Sequence, residues 1–182
     1  MTEWVPPVVD IAIALEADAP DGAPPLLGLD AADIERVVAL TLARAGIATP
    51  VEVSIVITSD GELHQLNRTY RGRDETTDVL SFPLLDAPLA EAPAGQLWGA
   101  GEPVAFVAPP DGPVHLGDIV IARGVTERQA AQAGHSAAWE LAYLVAHGVL
   151  HLVGYDDHTD AGYTAMVAHQ EFVLRQAGIS QE

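Results

Sequence analysis

The sequence has no cysteine and no lysine among its 182 residues. Without cysteine there is no disulfide and no thiolate ligand, so a bound metal ion must be held by histidine and carboxylate, which suits zinc or another divalent ion. The first residues, MTEWVPPVVD, show no basic segment followed by an apolar run, and no stretch reaches about 18 uninterrupted apolar residues. We therefore expect a protein that resides in the cytoplasm and has no membrane partner.

Positive charge is also scarce, with 8 basic residues against 26 acidic ones and a formal net charge of −18. This balance argues against nucleic-acid binding over the whole surface, because phosphate contacts need clustered cations. The residues Arg68, Arg71 and Arg73 nevertheless form a small basic island, and the planar guanidinium group suits phosphate. The island could bind a few phosphates, or its arginines could only form surface ion pairs with the acidic residues of segment 74–78.

The length and the 49% hydrophobic content fit one globular domain over residues 1–182. Alternating apolar residues predict strands at Val8–Leu15, Val51–Thr58, Val79–Phe82 and His115–Ala122. Helical spacing and capping residues predict helices at 31–45, 60–70, 124–133, 136–153 and 160–177. This order of elements predicts an α+β fold, in which helices pack on a small mixed sheet.

The segment Leu84–Val114 is rich in proline, alanine, glycine and acidic residues. Such a composition predicts a long loop or lid inside the domain. We expect Trp98 and Phe106 to pack back onto the body of the protein; the alternative is that they contact a ligand.

The most informative stretch of the sequence is His147–His158, HGVLHLVGYDDH. His147 and His151 lie four residues apart near the end of a predicted helix, so that both side chains occupy one helix face and can reach one metal ion. Gly154 can end this helix, and the turn can bring His158 back to the same ion. Three protein ligands leave a coordination position open for water, as in catalytic zinc sites, whereas structural zinc is closed by four ligands.

The alternative is that this HxxxH pair is chance or core packing. Gly148 argues against that, because glycine is costly inside a helix and indicates close backbone approach. Gly148 also stands where the HExxH signature has its general-base glutamate, so a peptidase of that type would lack its base.

Two long motifs resemble those of a known family. The stretch His147–His158 resembles the HGxLHLxGYDH signature of the YbeY family of bacterial endoribonucleases and ribosomal RNA maturation factors. The segment Leu66–Pro83, LNRTYRGRDETTDVLSFP, resembles the family's motif LNxxYRxxDxxTDVLSFP, and Gly117–Ile121, GDIVI, resembles a third piece. The resemblance covers much of residues 51–178 and leaves out segment 84–114.

This resemblance implies a four-stranded sheet that is mostly parallel with one antiparallel strand, surrounded by helices, with the zinc-binding histidine helix at the centre. It implies one Zn²⁺ ion bound by His147, His151 and His158. The family pattern has one residue fewer between its second and third ligands than the six of Leu152–Asp157 here. A loop can absorb this residue, so His158 is the predicted ligand; the alternative is that Asp157, which has the usual spacing, takes the position as a carboxylate ligand.

The resemblance also implies that Arg71 faces the metal across a cleft and is needed for cleavage of single-stranded RNA. Arg73 falls where the family has lysine or arginine, and with Arg68 it is expected to bind RNA. The implied function is a metal-dependent, single-strand-specific endoribonuclease that acts in maturation of the small-subunit ribosomal RNA 3′ end and in ribosome quality control. Its implied partners are ribosomal RNA, the small ribosomal subunit and assembly factors.

The acidic surface predicts weak binding to free RNA and slow cleavage of naked RNA, which favours a target presented on a ribosomal particle. Two other functions stay open. A non-catalytic ribosome-assembly factor would have a structural zinc closed by a fourth ligand, for which His115 or Asp157 is the candidate. Another metallohydrolase, acting on a small substrate or peptide, would not need Arg71.

Overall fold

The computed structural model of the protein describes residues 5–14, 24–93, 95–98 and 112–182. Its elements follow one another as β1 (Val8–Ala14), α1 (Ala31–Arg44), β2 (Val51–Thr58), α2 (Asp60–Arg71), β3 (Val79–Pro83), β4 (Val114–Ala122), α3 (Arg123–Ala133), α4 (Ala137–Val153) and α5 (Asp160–Ala177). Each predicted strand and helix therefore has its counterpart, with ends that differ by at most one residue. The predictions for Leu15 and Phe106 fall outside the described residues.

The four strands form one sheet in the order β1-β2-β4-β3. β1 pairs with β2 and β2 pairs with β4 in parallel, whereas β3 runs antiparallel to β4. The α+β fold class and the mostly parallel sheet with one antiparallel strand are thus confirmed. Because β3 is an edge strand, one of its sides is available to line a cleft.

Helix α4 is the centre of the core. It is apolar on nearly every face and packs against the sheet, α1, α3 and α5. Gly148 permits its close approach to the sheet, since a Cβ atom there would lie 2.7 Å from Cγ2 of the fully buried Ile119 on β4. The close backbone approach predicted from this glycine is confirmed.

The C-terminal end of α4 is defined by Gly154, which has φ 121°. Glycine adopts this conformation without strain, and a Cβ atom there would overlap Pro88. The chain therefore turns sharply after α4 and delivers the next residues to the exposed tips of the histidine side chains.

The described part of the segment after β3 lies along this turn, and we call residues 88–93 and 95–98 the strap. The amides of Leu89 and Ala90 both donate to the carbonyl oxygen of Val153, at 2.9 Å each. The Trp98 amide donates to the Gly154 carbonyl oxygen at 2.8 Å, and Leu97 forms a β-bridge with Tyr155. The strap is thus packed on the body, as expected for Trp98.

Within the described residues, no single helix is long and apolar enough to cross a membrane. The α3 and α4 helices pass that test of length and composition only when taken together, across a bend of 116°. The burial of α4 inside the fold accounts for its apolar sequence.

Candidate metal centre in a cleft

His147 and His151 lie one turn apart on α4, and both are partly buried. Their Nε2 atoms are 2.9 Å apart, and their ring planes are inclined at 83°. Nδ1 of His151 lies 2.9 Å from the carbonyl oxygen of Tyr155. A carbonyl can only accept a hydrogen bond, so Nδ1 carries the proton and the lone pair of Nε2 is free for a metal ion.

The third donor of this group is the carboxylate of Asp157. Its Oδ2 atom lies 3.5 Å from Nε2 of His147 and 3.6 Å from Nε2 of His151. Two ligand atoms about 2.0–2.1 Å from a tetrahedral zinc ion lie about 3.3 Å from each other, so the observed spacings fit an ion of this size. Imidazole and carboxylate are suitable donors for zinc and similar divalent ions. The group could therefore hold a metal ion, and among the described residues it contains three protein donors.

His158 is not brought into this group. Its Nδ1 atom lies 2.5 Å from Oδ1 of Asp156, and its side chain is 78% exposed. With the additional residue in Leu152–Asp157, the turn after α4 places Asp157 against the two histidines, whereas His158 lines the same cleft with its Nδ1 atom 3.6 Å from Oδ1 of Asp157. The structure assembles the Asp157 alternative, and a ligand role for His158 stays a prediction.

The electrostatic environments of His147 and His158 differ. Burial lowers the pKa of His147, the neighbouring His151 lowers it further, and Asp157 opposes both effects. A low pKa keeps an imidazole unprotonated, which favours metal binding because protons and metal compete for the same nitrogen. At the exposed pair, hydrogen bonding and charge from Asp156 raise the pKa of His158, and the backbone hydrogen bond from His158 lowers the pKa of Asp156. The pairing with Asp156 therefore favours the protonated form of His158.

The two histidines open onto a cleft of about 600 Å³. Arg71, the last residue of α2, lines the same cleft, as the resemblance implies. Its Nη2 atom donates to the carbonyl oxygen of Ser81 on β3 at 3.3 Å, which holds the guanidinium against the edge strand. Residues distant in sequence thus meet at one surface: an arginine from α2 and the donors of α4 and its following turn.

The other two arginines of the basic island occupy different places. Arg73 lines the cleft and lies 3.9 Å from Glu75, with both side chains exposed. Arg68 is exposed on α2 and is not among the residues that line the cleft. Within the described part of the chain, the ion-pair alternative for this island therefore applies to Arg73 alone.

His115, the candidate fourth ligand, lies elsewhere on the molecule. Its ring nitrogens are 3.5 Å from Glu52 and 3.8 Å from Asp118, and it does not line the cleft. This placement gives no support to a closed structural zinc site that includes His115.

Two residues support this site through hydrogen bonds that the sequence did not predict. Nε1 of Trp98 donates to the carbonyl oxygen of His151 at 3.0 Å, so the strap holds the last turn of the histidine helix. Gln170 on α5 is 1% exposed, and its Nε2 donates to the Tyr143 carbonyl oxygen at 3.2 Å. Gln170 could have been noticed in the sequence as a glutamine on an apolar helix face. No local feature of the sequence pairs Trp98 with His151.

Comparisons with known proteins agree with this fold and identify the family. The family described as Endoribonuclease YbeY matches residues 30–178. Three proteins named Endoribonuclease YbeY, from Roseiflexus castenholzii, Roseiflexus sp. (strain RS-1) and Moorella thermoacetica, are 44%, 46% and 43% identical to the chain. These matches cover 85%, 85% and 80% of this chain and 87%, 88% and 85% of the relatives.

The fold is also similar to the solution structure of TM1509 from Thermotoga maritima. That likeness has a TM-score of 0.54 at 23% identity, and covers 93% of this chain and 89% of the other. The structural likeness supports the fold, and the sequence matches carry the family. The chain therefore belongs to the YbeY family of endoribonucleases.

Proposed function

We propose that this protein, as one domain over residues 1–182, is a zinc-dependent endoribonuclease that cleaves single-stranded RNA. It acts in the cytoplasm, in maturation of the small-subunit ribosomal RNA 3′ end and in ribosome quality control. Its partners are ribosomal RNA, the small ribosomal subunit and assembly factors. Family membership and the names of the relatives support the RNA substrate, and the geometry of the cleft supports the chemistry.

The shared cleft carries this proposal: the donors of His147, His151 and Asp157 line the same cavity as Arg71. His147, His151 and Asp157 would hold a divalent ion, which would supply Lewis acidity in the cleft. The Arg71 guanidinium neutralises the charge that develops on the phosphate in the transition state. Its hydrogen bond to Ser81 fixes its position before the substrate arrives.

The proposed ligands are His147, His151 and one residue of the adjacent pair Asp157 and His158. Asp157 is favoured because its carboxylate already lies within 3.6 Å of both histidine nitrogens. For His158 to bind instead, its side chain must move towards the two histidines, with Nε2 as the donor while Nδ1 keeps its contact with Asp156. Arg73, which lines the cleft, is proposed to contact a phosphate beside the cleaved bond, and Arg68, which lies outside the cleft, is proposed to contact RNA only in strands long enough to extend beyond it.

The test compares three variants of the purified protein. We expect His147→Ala to lose the metal and the activity on single-stranded RNA. We expect Arg71→Ala to keep the metal and to lose about 10²- to 10³-fold in kcat, as when one donor to a developing charge is removed. Arg36→Ala is the matched control, since Arg36 is an exposed arginine of α1 paired with Asp33 at 3.6 Å. Metal content by mass spectrometry and cleavage of single-stranded and duplex oligonucleotides are the two readouts.

Each alternative function has its own signature in this experiment. Cleavage that survives chelation and both substitutions would contradict the metal-centred mechanism. Full activity of metal-loaded Arg71→Ala would favour a different metallohydrolase. A metal-loaded wild type that binds ribosomal particles and cleaves no RNA would favour an assembly factor.

A further inference from the structure

A second cavity, of about 180 Å³, lies beside the cleft, between α4, the start of β3 and α5. Four residues line both cavities: Asp78, Val79, His147 and Asp157. These shared side chains form the boundary between the two cavities, so the second cavity is adjacent to the candidate metal centre. A base next to a phosphate bound at the histidines therefore lies beside this cavity.

The remaining wall of this second cavity is largely aromatic and aliphatic. It includes Tyr143, Leu144, Tyr163, Met166 and Val167. The volume is below the roughly 300–1,000 Å³ of pockets for drug-sized ligands, so the cavity suits one small ring system. Flat heterocycles bind such walls through stacking and apolar contact.

The two tyrosines differ in how they are held. Tyr143 lies one turn before His147 on α4, and its ring stacks on Trp139 with centroids 4.8 Å apart and planes inclined at 17°. Burial raises the pKa of Tyr143 to about 12, so its hydroxyl stays protonated and can donate at neutral pH. Tyr163 on α5 is 60% exposed, which is unusual for a large aromatic residue and leaves its ring accessible at the cavity mouth.

The arginines distinguish the two cavities. Carboxylates line both, because Asp78 and Asp157 are shared, Asp156 lines the cleft and Glu140 lines the second cavity, but Arg71 and Arg73 line only the cleft. Carboxylates without a cation beside them repel phosphate, so the backbone of a bound strand belongs on the arginine side. A neutral base has no such penalty, and its amino groups can donate to these oxygens.

We propose that the second cavity is a nucleobase subsite, in which one base beside the phosphate at the metal centre leaves its stack and binds between Tyr143 and Tyr163. The inference rests on the proposed endoribonuclease function and gives its strand preference a physical cause. A paired base is stacked and hydrogen-bonded inside a duplex, so it cannot enter, whereas a base of a single strand is free to turn out.

The first test scans the substrate and needs no protein variant. A short single-stranded RNA of defined sequence is prepared with an abasic ribose at each position in turn, and the holoenzyme cleaves each one. We expect one position next to the cleaved bond to lower kcat/KM by about 5- to 150-fold, as loss of a stacked base does. Loss of the base at the other positions is expected to have a much smaller effect.

The second test fills the cavity. Val167→Phe places a ring inside it, and Ala168→Phe is the matched control, because Ala168 is the next residue on α5 and is exposed. We expect Val167→Phe to cleave intact and abasic RNA at the same low rate, and Ala168→Phe to discriminate as the wild type does. If circular dichroism shows that Val167→Phe is unfolded, Tyr163→Ala replaces it, since removal of an exposed side chain leaves the core intact.

Binding to the holoenzyme is measured in parallel by fluorescence anisotropy, with nuclease-resistant 2′-O-methyl oligonucleotides that carry or lack the base. Cleavage without any position-specific abasic effect, or wild-type cleavage by folded Val167→Phe, would overturn the subsite and leave the endoribonuclease function standing. Base-dependent binding without cleavage would support the subsite and overturn the endoribonuclease. Neither binding nor cleavage would overturn both.

Discussion

Two neighbouring side chains, Asp157 and His158, are alternatives for the third ligand of the proposed metal site. Asp157 has the short distances to both histidine nitrogens, whereas His158 is exposed and bonded to Asp156. The spacing of His147 and His151 on one helix face could be read from the sequence, because helical geometry places residues four apart side by side. The choice between 157 and 158 could not, because it depends on how the turn after Gly154 accommodates one additional residue.

Single substitutions separate these two ligands. We expect Asp157→Ala to lower the zinc content of the purified protein to near zero, and His158→Ala to leave about one ion bound, because only the carboxylate completes the group. Competition with a chromophoric chelator measures the affinity of each variant. Retention of zinc by Asp157→Ala together with its loss from His158→Ala would establish the histidine ligand that the family resemblance implies.

His169 on α5 gives the fold a pH dependence away from the metal ligands. Its Nδ1 is buried and has no hydrogen-bond partner among the described residues, and its ring meets Tyr155 edge-on at 5.0 Å. Burial lowers the pKa of His169, and the charge of Arg44 lowers it further. Below the ordinary pKa of 6.5, His169 therefore binds a proton in the unfolded chain but stays neutral in the folded protein. The neutral ring contributes its full stability above pH 6.5. This contribution is lost as the pH falls towards the lower pKa that His169 has in the folded protein.

The His169→Phe variant removes this titration. We expect the urea concentration at the unfolding midpoint to fall further in the metal-saturated wild type than in the variant when the pH is lowered from about 7.5 to about 5.5. The comparison cancels the titration of the carboxylates, which both proteins share. Equal losses in the two proteins would show that His169 is not kept neutral by the fold.

Among the elements, α4 and the strap illustrate what local pattern can and cannot predict. The bounds of α4 follow from Ser136 as its N-cap, an apolar run and Gly154, all visible in the sequence. The strap has no periodicity, and its hydrogen bonds to Val153 and Gly154 are long-range, so composition predicted only a loop. The second cavity escaped prediction for the same reason, because it forms only where α5 meets the start of β3.

The strap supports the candidate metal centre through Trp98. Its Nε1 donates to the carbonyl oxygen of His151, in the turn that also carries the Nδ1 contact of that histidine to Tyr155. We expect Trp98→Phe, which keeps a ring and removes the donor, to weaken zinc binding by about 2- to 10-fold, since one neutral hydrogen bond contributes about 0.5–1.5 kcal/mol. Trp98→Ala removes the packing as well and should weaken it further. An unchanged zinc dissociation constant in Trp98→Phe would show that the strap packs on α4 without holding His151.

At the scale of the whole molecule, the fold concentrates a little positive charge on a strongly acidic body. The net charge is −18, yet two of the eight basic residues, Arg71 and Arg73, line the cleft. Composition alone predicted the acidic surface and its poor affinity for free RNA. It could not predict that α2 and β3 would place two arginines opposite the histidines, since that depends on the position of β3 at the sheet edge.

The salt dependence of RNA binding tests this distribution of charge. For single strands, log K falls with log salt by about 0.7 per phosphate neutralised, so two arginines predict a slope near −1.4 and about a 7-fold loss between about 50 and about 200 mM salt. The distant carboxylates add little, because the screening length is about 8 Å at physiological salt. We expect Arg73→Gln to reduce the slope to about −0.7 and Arg36→Gln, outside the cleft, to leave it unchanged, as measured by anisotropy with a 2′-O-methyl oligonucleotide. A wild-type slope steeper than about −3 would require more phosphate contacts than these two arginines provide, and RNA would then have to bind a surface wider than the cleft.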